Sequence, residues 1–133
     1  MSSGELSIII HATEDLDKVL RSIRNMFMLD LERLRIQRND LSGHFGNPLT
    51  YIKIKLDREA TKKVVETLFK KMSPVDKETL IRNLDEYIHK RKLYIRLDKQ
   101  LFCSGELSLG ETDAIRIVIK NITKKKLLRQ VGE

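Results

Sequence analysis

Short stretches in which apolar and polar side chains alternate constrain the fold of this chain most strongly. Ile52, Ile54 and Leu56 alternate with Tyr51, Lys53 and Lys55. Successive side chains of a strand point to opposite faces of a sheet, so this pattern predicts one buried and one solvent-facing side. Strands are predicted in the same way for residues 31–37, 93–97 and 115–120, and an isoleucine-rich strand for residues 6–12.

Helical spacing appears between these stretches. The repeat of Leu16, Val19, Leu20, Ile23 and Phe27 predicts a helix with one buried face, capped by Thr13. A second helix is expected after Asp57, and a third after Ser73, with Pro74 at its first position. In this third helix, Asp76 is expected to reach back to the cap as in a capping box. Its buried stripe is predicted to consist of Leu80, Ile81, Leu84 and Ile88. The stretch 100–109 fits either a short strand or an ordered loop. The order of elements predicts an α+β fold, a two-layer sandwich with three helices on one face of a mostly antiparallel sheet.

Length and composition predict one domain. With 133 residues, 41% of them hydrophobic, the chain suits a single core, which we assign to residues 1–122. Residues 123–133 form a basic C-terminal tail, expected to be a frayed helix or disordered. Cys103 is the only cysteine, which fits a reducing compartment. The apolar run at residues 6–12 is far shorter than the roughly 20 residues needed to cross a bilayer, so we expect a soluble, cytoplasmic protein with no membrane partner.

The charge is unevenly distributed along the chain. The 26 Lys and Arg residues outnumber the 19 Asp and Glu residues, for a net charge of +7. Residues 1–50 carry a net charge of −1 and residues 51–133 a net charge of +8. This excess fits a polyanionic partner, since neutralising phosphates releases counterions. A solvated Lys-rich and Glu-rich surface is the simpler alternative.

The outward strand positions predict where such a partner would bind. If apolar positions face the helices, the opposite sheet face is mostly cationic, with two tyrosines and no acids interspersed on its inner part. It receives Arg33, Arg35, Gln37, Tyr51, Lys53, Lys55, Tyr94, Arg96, Arg116 and Lys120. Such a face can follow a phosphate backbone while its rings stack on unpaired bases, so we predict RNA binding. The alternatives are an ordinary solvated face and a face covered by a homodimer.

A shaped loop is predicted between two of the strands. Gly43 and Gly46 permit a positive φ, and Pro48 drives Asn47 toward an extended backbone. His44 and Phe45 stand between them, so the loop is a candidate recognition element. Its composition alone favours a plain connection with Phe45 packed on the core.

The turn Asp98-Lys99-Gln100 is a second candidate recognition element. Asp98 and Lys99 could instead form a structural ion pair at a strand end, which the pattern favours over a catalytic role. Gln100 suits either a base edge or backbone groups of the turn.

The sequence gives little support for catalysis. His11, His44 and His89 are scattered, which predicts no metal site, and Cys103 sits in an apolar setting that favours packing. His44 with Asp98 is a conceivable acid-base pair for RNA cleavage, but their spacing does not place them together. With no phosphate-cradling or dinucleotide motif, we expect no cofactor and no enzymatic activity.

Four blocks of sequence carry a resemblance to a known family. They are His11-Ala12-Thr13-Glu14-Asp15 with Lys18-Val19, Gly43 to Pro48, Leu93 to Gln100, and Gly105-Glu106-Leu107 with Leu109-Gly110. Over residues 5–120 the chain resembles an archaeal family of small proteins described as RNA-binding and as predicted exosome subunits or exosome-associated factors. The chain departs from that pattern at Leu101-Phe102-Cys103 and in the basic tail that includes Lys124, Lys125 and Lys126.

The resemblance implies an α+β domain similar to a ribosomal-RNA-binding protein of the large ribosomal subunit. It also implies a non-catalytic accessory role in archaeal RNA processing or degradation, with RNA and the archaeal exosome as partners. The positions that match the shared blocks are His11, Gly43, His44, Phe45, Gly46, Asn47, Pro48, Asp98, Lys99 and Gln100. The alternative function is a dimeric protein-interaction scaffold whose open sheet face is an interface.

Overall fold

The fold is built on a six-stranded antiparallel sheet. The structure is a computed structural model and describes residues 3–131. The strands are β1 (Gly4–His11), β2 (Arg35–Ser42), β3 (Pro48–Leu56), β4 (Ile88–His89), β5 (Lys92–Asp98) and β6 (Ala114–Lys120), arranged in the order β2-β3-β1-β6-β5-β4. Every pairing is antiparallel.

Helices cover one face of this sheet. They are α1 (Leu16–Phe27), α2 (Arg58–Lys71), α3 (Pro74–Arg82), α4 (Leu84–Tyr87), α5 (Lys99–Cys103) and α6 (Lys124–Val131), with a 3-10 turn at Leu31–Arg33. Their buried side chains and the inward strand positions form one hydrophobic core. The predicted α+β fold is confirmed, although the helices are more numerous than the three expected, because short helical turns occupy segments without a long apolar repeat.

The predicted alternation is confirmed in the central strands. Inward residues such as Ile8, Ile54, Ile95 and Ile117 are almost fully buried. The first edge strand differs, since all eight residues of β2 are exposed. The strand predicted from residue 31 begins only at Arg35, because the side chain of Asp30 accepts a hydrogen bond from the Glu32 amide and starts the 3-10 turn.

Side-chain caps fix where the main helices begin. Asp15, and not Thr13, caps α1 by accepting bonds from the amides of Asp17 and Lys18, because the carboxylate reaches both. The predicted caps Asp57 of α2 and Ser73 of α3 are confirmed.

The expected capping box and the long third helix are wrong. The side chain of Asp76 accepts a bond from the Leu109 amide, 3.1 Å away. It therefore ties α3 to the segment between α5 and β6 instead of reaching back to Ser73. The helix beginning at Pro74 ends at Arg82. Leu84 belongs to α4, and Ile88 belongs to β4.

Two segments left open by the sequence are helical. Residues 99–103 form α5, whose Phe102 ring lies 5.5 Å from the ring of Phe27 in the core. Residues 124–131 form α6, and Leu127 of this helix is fully buried. The basic tail is therefore anchored by packing over its described part.

Candidate nucleic-acid interface

The strand register defines the face of the sheet opposite the helices, called here the open face. One row across it runs from Gln37 through Lys53, Ser7 and Arg116 to Arg96. The adjacent row runs from Arg35 through Lys55, Glu5 and Val118 to Tyr94. Neighbouring strands lie about 4.8 Å apart, so these cations form a band across five strands.

Four of the cations are available to a ligand. Arg35, Lys55, Arg96 and Arg116 are exposed, and within residues 3–131 none has a carboxylate within 4.0 Å of its side-chain nitrogens. We call these four residues the free cations. No carboxylate of the described residues neutralises these side chains, so they can bind phosphates with release of counterions.

An acidic residue interrupts the band, contrary to the expectation of no interspersed acids. Glu5 lies 3.4 Å from the Lys53 Nζ atom and 3.1 Å from the Lys120 Nζ atom. Burial would raise the pKa of Glu5, but the hydrogen bond and charge of Lys120, followed by Lys53, lower the pKa below its usual value. The predicted open face did not include Glu5, because the outward positions of β1 were left out of it. Lys53 and Lys120 are thus partly neutralised.

One of the predicted face residues lies elsewhere. Arg33 lies in the 3-10 turn and lines a depression beside Asp57 and Lys63, on the helix side, so it is not part of the open face. Tyr51 and Tyr94 do lie on the open face, with Tyr94 exposed and Tyr51 partly buried.

A basic turn joins β4 to β5 and was missed by the sequence reasoning. His89 pairs with Lys92, and the two residues between them, Lys90 and Arg91, have φ angles of 50° and 64°. Two-residue hairpin loops of this kind usually carry Asn-Gly, since both positions need a positive φ. The consecutive cations of residues 90–92 were the available signal.

The predicted loop is a tight hairpin connection between β2 and β3. The Gly46 amide donates to the Gly43 oxygen at 2.9 Å, the Gly43 amide donates to the Asn47 oxygen at 2.7 Å, and Gly46 has a φ of 79°. A Cβ on Gly43 would lie 2.4 Å from the Asn47 side chain. The alternative of Phe45 packed on the core is wrong, because Phe45 is 91% exposed. Its ring is in edge-to-face contact with the His44 ring, with the two ring centroids 4.7 Å apart.

The Asp98-Lys99-Gln100 segment is chiefly structural. Asp98 caps α5 by accepting from the Leu101 amide at 2.9 Å, so the suggested Asp98–Lys99 ion pair is wrong. Lys99 is 1% exposed and cannot be an exposed recognition residue. Its Nζ atom lies 2.7 Å from Glu14, 2.7 Å from Asp113 and 2.9 Å from the Ile9 oxygen. Gln100 is exposed at the surface of α5.

A histidine and an aspartate flank this buried lysine at one end of the open face. His11 Nε2 lies 3.3 Å from Asp113 Oδ1, and both side chains are exposed. Asp113 adopts a φ of 48°, in the left-handed region. Burial would raise the pKa of Asp113, but Lys99, with a smaller contribution from His11, lowers the pKa below its usual value.

The conceivable acid-base pair of His44 and Asp98 is not formed. The hairpin loop extends from β2 and β3, whereas Asp98 ends β5, which is three strands away from β3. At about 4.8 Å per strand, the separation across the sheet is about 14 Å, too far for proton transfer between them.

Residues 3–131 also contain no cluster of His, Cys, Asp and Glu suited to a metal ion. Within that range, no helix has both the length and the apolar character needed to span a membrane.

The fold and the open face define a class of protein, a single-sheet α+β protein with a basic open face. The chain belongs to the RNA-binding family, whose pattern matches residues 5–121.

Individual relatives are archaeal. An uncharacterized protein of Methanocaldococcus jannaschii is 33% identical over 121 residues, which cover 86% of this chain and 80% of the relative. A protein of Pyrococcus abyssi named an RNA-binding protein is 29% identical, covering 88% and 80% of the two chains. A crystal structure of a Sulfolobus solfataricus protein shares the fold, with a TM-score of 0.82, 24% identity and coverage of 98% and 97%.

Proposed function

We propose that this protein is a non-catalytic RNA-binding protein that holds the phosphate backbone of unpaired RNA on its open face. The observation that carries this proposal is the set of four free cations, Arg35, Lys55, Arg96 and Arg116, spread over four strands. Membership of the RNA-binding family supports the class of ligand.

The chemistry of the face favours unpaired RNA over a protein partner. Cations bind phosphates without regard to sequence, and exposed rings such as Tyr94 and Phe45 offer flat surfaces for unstacked bases. The basic turn at Lys90 and Arg91 lies at the β4–β5 end of the same sheet and adds charge there.

The test compares two triple variants. Lys55→Gln, Arg96→Gln and Arg116→Gln remove three charges from the open face. Arg21→Gln, Lys62→Gln and Lys70→Gln remove three exposed charges from helices α1 and α2. With a fluorescein-labelled single-stranded RNA of mixed sequence, we expect the first set to weaken affinity by at least about 10-fold and the second by less than about 3-fold, since only the first removes phosphate contacts. Equal losses would show that net charge alone attracts the RNA.

Absence of catalysis is part of the proposal. Among residues 3–131, His44 has no acid-base partner and its ring contacts Phe45, while Cys103 is partly buried against the core. Incubating labelled RNA with the protein and with a His44→Ala variant should leave the RNA intact in both cases. Cleavage that disappears in the variant would contradict this part.

We further propose an accessory role in cytoplasmic RNA processing or degradation, with the archaeal exosome as a partner and a fold related to a ribosomal-RNA-binding ribosomal protein. The resemblance of the blocks Gly43 to Pro48 and Leu93 to Gln100 to the archaeal family supports it. Affinity purification of the tagged protein from an archaeal host, with and without ribonuclease, should recover exosome subunits in both samples. Recovery only without ribonuclease would mean that RNA bridges the two.

The rival function is a dimeric scaffold, favoured by one observation. Ile9 and Leu41 are 42% and 47% exposed on the open face, where a second copy could cover them. Light scattering after size-exclusion chromatography distinguishes the two functions. A monomer that binds RNA supports our proposal, and a dimer that excludes RNA from the open face supports the rival.

A further inference from the structure

A depression lies on the open face beside the band of cations. Its volume is about 360 Å³, and its lining includes Ile9, His11, Leu49, Tyr51, Asp113 and Arg116. This volume falls within the range of about 300–1,000 Å³ typical of small-ligand sites. Ala114 also lines it and keeps one side open because its side chain is small.

The floor and walls of the depression are apolar and partly aromatic. Register places Ile9 opposite Tyr51, and Leu49 opposite His11, on adjacent strands. Ile9 is 42% exposed, a high value for an isoleucine on a central strand. A flat ring would bury this surface against Tyr51, and stacking on an aromatic side chain favours binding of an unstacked base.

The rim carries two groups of opposite charge. Asp113 lies at the end of the depression nearest His11. Its carboxylate, when ionised, can only accept hydrogen bonds. Arg116, three residues further along, is an exposed free cation opposite Ser7 and can donate two parallel bonds.

The position of Asp113 is fixed by its neighbours. Its Oδ1 atom lies 2.7 Å from the buried Lys99 Nζ and 3.3 Å from His11 Nε2, and its φ is 48°. A carboxylate held in this way stays ionised and oriented as the ligand arrives. Such pre-organisation lowers the cost of binding.

Guanine is the base that matches this rim. Its O6 and N7 atoms are acceptors suited to an arginine, and its amino group on N2, with the neighbouring ring N–H, is a donor pair suited to a carboxylate. Adenine presents a donor where Arg116 would need an acceptor. Cytosine and uracil are smaller and would leave apolar surface uncovered.

We propose that the depression lined by Ile9, Leu49, Tyr51, Asp113 and Arg116 binds one unpaired guanine base of the RNA. The inference rests on the proposed RNA binding and assigns to it a base-specific site. With a guanine in the site, the other three free cations, Arg35, Lys55 and Arg96, hold the flanking phosphates, while Arg116 contacts the base.

The probe is a fluorescein-labelled decamer in which abasic units replace every nucleoside except one central guanosine. Its reference is the same decamer with abasic units throughout, so both present the same phosphates. We expect the guanosine decamer to bind about 10-fold more tightly than the abasic one, and more tightly than decamers carrying adenosine, cytidine or uridine, measured by fluorescence anisotropy.

Two variants that keep the charge of the wild type test whether the guanine preference arises in the depression. Ala114→Phe should fill the depression and remove the preference for guanosine while leaving affinity for the abasic decamer unchanged. Val118→Phe adds the same ring to the open face between Glu5 and Tyr94, outside the depression, and should keep the preference. If circular dichroism shows that Ala114→Phe is unfolded, Ile9→Ala serves instead. This variant should reduce the preference for guanosine by removing apolar surface from the floor of the depression.

The outcomes separate this inference from the proposed function. Equal binding of the guanosine and abasic decamers would overturn the base site and leave backbone binding standing. Equal gains for all four bases would overturn the assignment to guanine. A protein that binds none of the decamers, nor longer RNA, would overturn both the base site and the proposed function.

Discussion

The Nζ atom of Lys99 lies 2.7 Å from the Oδ1 atom of Asp113, and the lysine side chain is 1% exposed. Glu14 lies equally close on the other side, so one buried cation joins the start of α1, the start of α5 and the segment that leads into β6. A lysine without such partners is almost never fully buried. This contact therefore holds one end of the open face in place.

Replacing Lys99 should destabilise the protein strongly. Lys99→Met keeps the bulk of the side chain but removes the ammonium group that contacts Glu14, Asp113 and the Ile9 oxygen. Breaking a buried ion pair on one side costs about 3–5 kcal/mol, and since Glu14 and Asp113 retain access to water, we expect about 3 kcal/mol. Urea denaturation measures the free energy of unfolding. Lys62→Met on the exposed surface of α2 is the control, and equal losses for both would contradict a special role for Lys99.

Stability should fall in acid through Asp113. The folded pKa of this carboxyl lies below its unfolded value of about 3.9, so its ionised form stabilises the folded state above that pH. This contribution is lost as the pH falls through the folded pKa. Wild type should exceed Asp113→Asn in free energy of unfolding at pH 7, and the difference should shrink below about pH 4. A difference independent of pH would refute the account, and Asp40→Asn, at an exposed surface pair, is the control.

The basic turn at Lys90 and Arg91 should be strained. Both residues have positive φ angles that cost about 1 kcal/mol or more each for residues other than glycine, asparagine or aspartate. The double variant Lys90→Asn, Arg91→Gly should raise the free energy of unfolding by about 1–2 kcal/mol and weaken RNA binding. Met28→Gly relieves a positive φ of 56° without removing charge, so it should stabilise the fold and leave RNA affinity unchanged. Unchanged RNA affinity in the double variant would remove the turn from the binding surface.

The division into a domain at residues 1–122 and a tail at residues 123–133 leads to a separate prediction. Leu127 is fully buried, whereas its neighbour Leu128 is 44% exposed. Leu127→Ala should lower the free energy of unfolding by about 2–5 kcal/mol, and Leu128→Ala by much less. Thermal unfolding followed by circular dichroism measures both. Similar small effects would support a tail that contributes nothing to the folded domain.

The sequence predicted the framework because its signals are local. Alternation in β3 and helical spacing in α1 follow from the period of each element, and both were confirmed. The start of β2 was misplaced because Leu34 and Ile36 alternate like a strand while the carboxylate of Asp30 begins a turn just before them. Such local hydrogen bonds leave only a weak trace in the apolar pattern.

The candidate site was predicted less completely because it depends on contacts between distant segments. Lys99 meets Glu14 across 85 residues, and Lys120 meets Glu5 across 115. Sequence spacing carries no information on such pairs, so a buried structural lysine was taken for a recognition residue and Glu5 was left out of the open face. The exposed cations Lys55, Arg96 and Arg116 were placed correctly, because strand alternation alone decides their side of the sheet.

The salt dependence of RNA affinity tests the central claim most directly. Each phosphate contact on a single strand contributes a slope of about −0.7 in log affinity against log salt, so four free cations on a strand without guanine, where all four contact phosphates, predict a slope of about −3. The variant lacking Lys55, Arg96 and Arg116 charges should have a slope shallower by about 2, while the helix-side variant keeps the wild-type slope. A wild-type affinity insensitive to salt, or a slope unchanged in the open-face variant, would contradict phosphate binding on the open face.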